Sequence, residues 1–428
     1  MSGKSIFKED GIFKRIGLAG WIFVGIILGV ICGRLIGEPL LIVSRPISDM
    51  FLTLLKMVIV PLVFSSIATG VSGIGSTGRL GWLGAKTIFY YLTTSLIAIL
   101  TGLAIVNIIK PGIGAELGLE AMPQSLSTGE TSVSEFLLRM IPENPVAAAA
   151  EGQMLQLIFF AILIGVFLTR VEAKYGEPVQ NFIAGLFEVM MKMTRFIILL
   201  TPFGAFGLVA TIVARTGFAP LVPLGYYALC VIIGLFIHGC ITLPLLLRLV
   251  GGISPLAHVK AMAPALMAAF STASSSATLP LGMECVEQRA GVSNKISSFV
   301  LPLGATVNMN GTALYECVAV IFISQYYVSH GQGFDLTLVQ QVTVVLTALM
   351  VSIGAAGIPK AGLVMMSIVL SAVGLPLEGV GLILAVDQIL DMCRTTINVW
   401  GDYCGAAIIA STEGETGLKV KVLKAVTK

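Results

Sequence analysis

Asp387, Asp391, Arg394, Thr395, Asn398 and Asp402 fall within the single segment DQILDMCRTTINVWGD (387–402), between the apolar runs GVGLILAV and GAAIIA. Wound into a helix at about 100° per residue, these six polar groups lie within an arc of roughly 100°, while Ile389, Leu390, Ile397 and Trp400 point elsewhere. A charged side chain at the centre of a membrane span costs roughly 2.5–3.5 kcal/mol on insertion scales, so three carboxylates and one arginine on one face require partners or cargo. The chemistry on offer is recognition of a charged solute. Arg394 presents a planar fork suited to a carboxylate, and Asp391 an acceptor for an ammonium group. Asp387 is read as structural support for them.

The elements that must position this stripe belong to a membrane protein. Of 428 residues, 56% are hydrophobic and 11% charged, and the mean hydropathy is +0.96, against about a quarter charged residues in a typical soluble domain. Apolar runs long enough to span a bilayer cover roughly 18–36, 46–73, 84–109, 153–171, 181–213 and 221–249. Later runs are interrupted. The N-terminal MSGKSIFKEDGIFKRIG is basic but leads into a long apolar stretch without a small-residue cleavage site, which argues against a removed signal peptide. A net charge of only +3 excludes a polyanion-binding surface, so no nucleic-acid partner is expected. Seven cysteines at irregular spacing read as small core residues, and the three histidines support no metal site.

Positive residues set an orientation. Lys4, Lys8, Lys14, Arg15, Arg79, Lys86, Arg170, Lys174, Arg248 and Lys260 fall in alternate loops, and the tail carries Lys419, Lys421, Lys424 and Lys428. Both termini are therefore expected in the cytoplasm, with an even number of crossings. Arg34, Arg45, Arg139 and Arg215 run against the count.

After residue 250 a pattern repeats. AFSTASSSATLPLG (269–282) precedes a helix interrupted at NMNGT (308–312), and SIGAAGIPKAG (352–362) precedes the polar stripe. Paired, interrupted apolar segments of this kind point to a transporter binding site. A chain that reverses at mid-membrane leaves helix-end N–H and C=O groups unpaired, which is tolerable only inside protein or beside water. Ser274, Ser275 and Ser276 supply hydroxyls there, and Gly354, Gly357 and Gly362 let backbone approach a ligand. The flanking charges place the two hairpins on opposite sides, as inverted copies.

With TASSSATLP (272–280), NMNGTALYE (308–316), SIGAAGIPKAG (352–362) and DMCRTTINVWGD (391–402), the chain resembles the dicarboxylate/amino acid:cation symporter family over nearly its whole length. The resemblance implies an all-α polytopic membrane protein of eight transmembrane helices plus two re-entrant helical hairpins, with an inverted-repeat transport core and a homotrimeric assembly in the cell membrane. It further implies a static scaffold (1–82 and 111–220), a transport domain (83–110 and 221–412) that carries substrate like an elevator, and a cytoplasmic tail (413–428). Substrate would lie against Ser275, Thr312, Gly362, Asp391, Arg394, Thr395 and Asn398. One sodium would use Gly304, Asn308, Asn398 and Asp402, and a second Thr306, Ser352, Ile353 and Ala355. A third would use Tyr91, Thr94, Ser95, Asn308 and Asn310.

That third site departs from the family pattern. Members that have it usually carry NMDGT, and the asparagine at 310 removes the formal charge. Glu316 matches the glutamate tied to proton and potassium coupling in the animal carriers, so protons and potassium join sodium as candidate coupling ions. Desolvation disfavours the charged form of an intramembrane carboxyl, which lets such a group carry a proton near neutral pH. Lys360 stands at the second tip where animal carriers have glutamine. The expected function is ion-coupled symport of an acidic amino acid, aspartate or glutamate. A neutral amino-acid carrier, a dicarboxylate carrier and a proton-only symporter of the same fold are the alternatives. A channel is disfavoured because charge concentrates at one locus. An enzyme is disfavoured because no nucleophile–base pair, HExxH or phosphate loop accompanies the polar face.

Overall fold

The computed structural model describes residues 12–72, 79–117, 141–151, 153–217, 221–331, 336–353 and 361–415. Among these, all regular structure is helical. Gly354, Ala355, Gly357 and Lys360 of the second interruption lie outside the described residues, as do the tail lysines.

Helices α1 (Ile12–Ile36) and α2 (Leu41–Ser72) are joined by a short 3-10 turn. α3 is Arg79–Ile109, α4 the short Pro145–Ala150 and α5 Met154–Leu168. α6 (Ala173–Leu199) and α7 (Thr201–Thr216) follow. α1 lies along α7 because glycines recur every fourth residue on one of its faces. A Cβ at Gly25 would overlap the Pro202 carbonyl oxygen, and Cβ atoms at Gly29 and Gly33 would meet the Phe206 and Ala210 carbonyl oxygens at 3.0 and 2.9 Å. Small residues are what let helix backbones touch where no water drives them together. Gly207 of α7 similarly meets α2, with the Ser44 carbonyl oxygen 2.9 Å from the position of its missing Cβ.

The apolar run 181–213, expected as one span, is divided. α6 and α7 meet at Leu200 with a bend of 52°. Pro202, one residue into α7, lacks the N–H that a continuous helix needs from it. By length and composition, Trp82–Ile109, Val222–Leu249 and Asn294–Ser329 are each able to cross a membrane. The all-helical, apolar architecture accords with a polytopic membrane protein.

The second half is centred on one helix. α8 (Leu221–Ile237) runs through a π-helical segment, His238–Thr242, into α9 (Leu243–Leu249). Pro244 explains the wider turn: its ring would collide with the carbonyl four residues back in a regular helix. α10 (Pro255–Thr272) and α11 (Ser275–Glu284) form the first hairpin. Ala273, in the left-handed region at φ 47°, reverses the chain between them. Ser274 Oγ then caps α11 by accepting from the Ala277 N–H at 3.2 Å. After a second π segment, Cys285–Ala290, come α12 (Asn294–Val307) and α13 (Asn310–Ser329), interrupted at Asn308 and Met309. α14 (Leu338–Ser352) and α15 (Ala361–Ala372) are the arms of the second interrupted segment, and α16 (Glu378–Thr412) carries the polar stripe. α13 is buried from Asn310 to Tyr327, enclosed by α3, α8, α14, α15 and α16.

Candidate substrate and cation site

The interruption between α12 and α13 faces the stripe of α16. Gly311 allows the approach: a Cβ there would lie 2.9 Å from the Arg394 carbonyl oxygen. The freed Gly311 N–H donates to Asn398 Oδ1 at 2.8 Å, and Asn398 Nδ2 donates to Thr312 Oγ1 at 3.1 Å and Met309 Sδ at 3.2 Å. A backbone group released by the break is thus satisfied by a side chain from α16.

Arg394 is fully buried. Its Nη2 lies 2.7 Å from Asp391 Oδ1 and 3.0 Å from Asp387 Oδ1. The guanidinium also sits over the Tyr315 ring, 3.7 Å from its centroid. Nε and Nη1 have no partner among the described residues. A Cβ at Gly362 would come within 2.9 Å of Nη1, so this glycine keeps α15 clear of the guanidinium. A buried guanidinium with unspent donors is costly by itself and suits a carboxylate arriving from outside.

Asp387, Tyr315 and Tyr227 support it. Tyr315 Oη donates to Asp387 Oδ1 at 2.8 Å, and the Tyr227 ring packs 6.2 Å from that of Tyr315. The sequence singled out Asp387 as support but passed over both tyrosines. Tyr315 lies three residues after Thr312, one turn along the same face, whereas Tyr227 reaches the site only through the packing of α8.

A second polar locus lies one turn and more further along α16. Asn308 Nδ2 donates to Asp402 Oδ1 at 2.7 Å, and both residues are buried. Asn308 Oδ1 is left without a partner among the described residues. A Cβ at Gly304 would overlap Asp402 Oδ1, so the carboxylate rests directly on the α12 backbone. An orphaned amide oxygen, a carboxylate and adjacent carbonyls form an oxygen set that fits a hard monovalent cation.

The other expected positions are less concentrated. Ser275 and Thr395 are buried, on α11 and α16, which pack together. Thr306 is exposed and donates to the Leu303 carbonyl at 3.1 Å, while Ser352 donates to the Leu349 carbonyl at 2.7 Å. The Ile353 carbonyl oxygen lies 3.6 Å from where a Cβ of Gly70 would be, and so faces α2. Tyr91 Oη donates to the Val300 carbonyl at 2.8 Å and Thr94 Oγ1 to the Tyr90 carbonyl at 2.9 Å. Glu316 is fully buried, one turn beyond Thr312, and neither carboxyl oxygen has a partner among the described residues.

Residues 18–412 match the model of the sodium:dicarboxylate symporter family. The chain is 34% identical over 415 residues to the proton/glutamate-aspartate symporter of Escherichia coli strain K12, covering 93% of each. It is 37% identical over 411 residues to the proton/sodium-glutamate symport protein of Geobacillus stearothermophilus, covering 94% of this chain and 96% of that one. With the excitatory amino acid transporter 3 of Mus musculus it shares 36% over 414 residues, 84% of this chain and 77% of the relative. A buried arginine with open donors beside a carboxylate–amide oxygen cluster, at the meeting of an interrupted helix and a polar one, defines a solute carrier. The chain belongs to the sodium:dicarboxylate symporter family, a family of transporters rather than enzymes.

Proposed function

We propose that this protein is an ion-coupled symporter for aspartate or glutamate, driven by sodium and protons. The observation that carries the reading is Arg394: fully buried, braced by Asp387, Asp391 and Tyr315, with Nε and Nη1 unspent. A substrate carboxylate would supply the missing acceptor, Asp391 and Thr395 would hold the α-ammonium, and Ser275, Thr312, Gly362 and Asn398 would complete the substrate site. Counted as ionised, Asp387, Asp391 and Asp402 outnumber Arg394, and this buried excess of negative charge favours cations. Asn308, Asp402, Asn398 and the Gly304 carbonyl would hold one sodium, and Thr306 with the carbonyls of Ser352, Ile353 and Ala355 a second. Bound sodium supplies the positive charge that lets an anionic substrate enter a desolvated site.

Packing supports a division into a scaffold of α1, α2 and α4 to α7 and a transport unit of α3 and α8 to α16, whose motion past the scaffold would expose the site alternately to each side. Eight spans, two re-entrant hairpins, cytoplasmic termini and a homotrimer in the cell membrane complete the reading. Sodium and protons both occur in the names of relatives; potassium rests on the sequence resemblance alone. A proton-only carrier is the second reading, favoured by the unpartnered Glu316. The deciding experiment is uptake of labelled aspartate and glutamate into proteoliposomes under separately imposed sodium, proton and potassium gradients. Accumulation driven by sodium supports the first reading; accumulation by a proton gradient with no response to sodium leaves only the second.

A further inference from the structure

The seam where α7 meets α16 carries its charges at one end. Ile26 and Val30 of α1, Val209 and Val213 of α7, and Leu382 and Ala385 of α16 enclose a small apolar void. Beside it, with Ile212 bordering both, lies a cavity of about 180 Å³ lined by Arg45, Ser48, Asp49, Thr211, Arg215 and Glu378. Among the described residues, four charged side chains line it, and Glu378 alone belongs to the transport unit. Arg45 and Asp49 stand near the start of α2, Arg215 in the last turn of α7, and Glu378 opens α16. The scaffold wall is tied together beside them: Thr211 Oγ1 donates to Ser44 Oγ at 2.8 Å, and Ser48 Oγ to the Arg45 carbonyl at 2.8 Å. Two guanidiniums and one carboxylate therefore present a net positive face to a single carboxylate across the seam. The hairpins show which position the transport unit holds. α15 packs on α2 and α5, whereas α10 and α11 pack on α16, with α11 also on α12, and leave Phe270, Ser271, Thr272 and Ser276 exposed. The second hairpin is thus covered by the scaffold, and the first is open to its own side.

We infer that Arg45 and Arg215 form an electrostatic latch for Glu378, which holds the transport unit at the station where the first hairpin is open. The inference rests on the two-unit reading above. Burial of apolar surface is non-directional, so the apolar part of the seam has nearly the same energy at many offsets. Opposite charges prefer one offset, because their attraction falls with separation. Moving α16 along α7 by two helical turns, about 11 Å, carries Glu378 past both guanidiniums and leaves them to Asp49 alone. The four groups are partly or largely exposed, and pairs of that kind shift an equilibrium by only about two- to fivefold. A weak latch suits a carrier, which must leave each station in every cycle. It also gives a task to two arginines that stand on the positive-poor side of the orientation count.

The test uses the full-length protein in liposomes, with its native cysteines replaced and spin labels at Leu35→Cys on α1 and Leu338→Cys on α14, both largely exposed. The distances between the labels should fall into two populations, one of them matching the station described here. Glu378→Gln should lower the share of that station relative to the other by about two- to fivefold. Glu378→Arg should lower it further, and Glu378→Arg combined with Arg215→Glu should restore it. Raising choline chloride from about 0.01 to about 1 M shortens the Debye length from about 30 to about 3 Å, and should reproduce the loss in the parent but not in Glu378→Gln. A ratio that Glu378→Gln leaves unchanged overturns the latch. So does a loss that charge exchange does not restore and salt does not reproduce, since that marks packing. If the variants do not fold, the salt series on the parent decides alone. A single distance that aspartate, sodium, salt and substitution all leave unmoved instead sinks the two-unit reading, and the latch with it.

Discussion

Arg394 is poised between its own protein and its cargo. Nη2 is shared by Asp387 and Asp391, and the remaining donors are open. Removing the guanidinium deletes the partner of the substrate side-chain carboxylate and leaves two aspartates facing a vacancy. In Arg394→Cys, aspartate affinity should fall at least about tenfold, since a charge-assisted hydrogen bond is worth roughly 1.5–3 kcal/mol. Calorimetric binding of aspartate and of serine measures this, and a variant that binds aspartate within about threefold of the parent shows that the carboxylate goes elsewhere. Glu316 invites a different substitution. It is fully buried on α13 and neither of its oxygens is engaged among the described residues, so glutamine preserves its shape while removing its ability to exchange a proton. Glu316→Gln should keep substrate binding and exchange, lose proton-driven accumulation, and flatten the dependence of uptake on pH between about 5.5 and 8. Concentrative uptake with the parent's pH profile leaves Glu316 a packing residue.

At the scale of elements, the site exists because helices stop where they otherwise would continue. α12 and α13 are separated by two residues, and the Gly311 N–H released there and the Asn308 side-chain amide both donate to α16, to Asn398 and Asp402. Glycines set how close those elements come. Gly304 is the sharpest case, because Asp402 occupies the space a side chain would need. Gly304→Ala must push the carboxylate away from Asn308 or shift α12. Its sodium half-saturation for aspartate binding should rise about tenfold, equivalent to about 1.4 kcal/mol, while the ranking of substrates stays as in the parent. A sodium titration of aspartate binding is sufficient, and an unshifted curve removes Asp402 from the cation site.

Across the whole molecule, the proposed division into scaffold and transport unit can be tested where α7 meets α16. A Cβ at Gly381 would lie 3.1 Å from Leu208 Cβ, close enough for two cysteines to be bridged after slight adjustment. In a background without the native cysteines, oxidised Leu208→Cys/Gly381→Cys should bind aspartate but carry none across, with transport restored by reductant. Undiminished uptake by the fully bridged protein means that α16 does not move past α7. In the same region, Arg45 and Arg215, two arginines that run against the orientation count, line a cavity of about 180 Å³ together with Asp49 and Glu378.

The amino-acid sequence by itself determined the membrane class, the interruptions within 269–282 and 308–312, and the stripe on α16, because each is written in local composition and period. Asp391, Arg394 and Asn398 were legible for that reason. The tertiary structure alone decided the rest. Tyr227 and His238 lie on a helix far from the motif in sequence and reach the site only by packing. The split of 181–213 falls beside Pro202, whose carbonyl oxygen packs on Gly25 of α1. The engagement of Asn310 by Ser95 and His238 depends on three helices converging on one buried point, where an unpaired polar group is too costly to leave and the available partner is set by geometry rather than by neighbours along the chain.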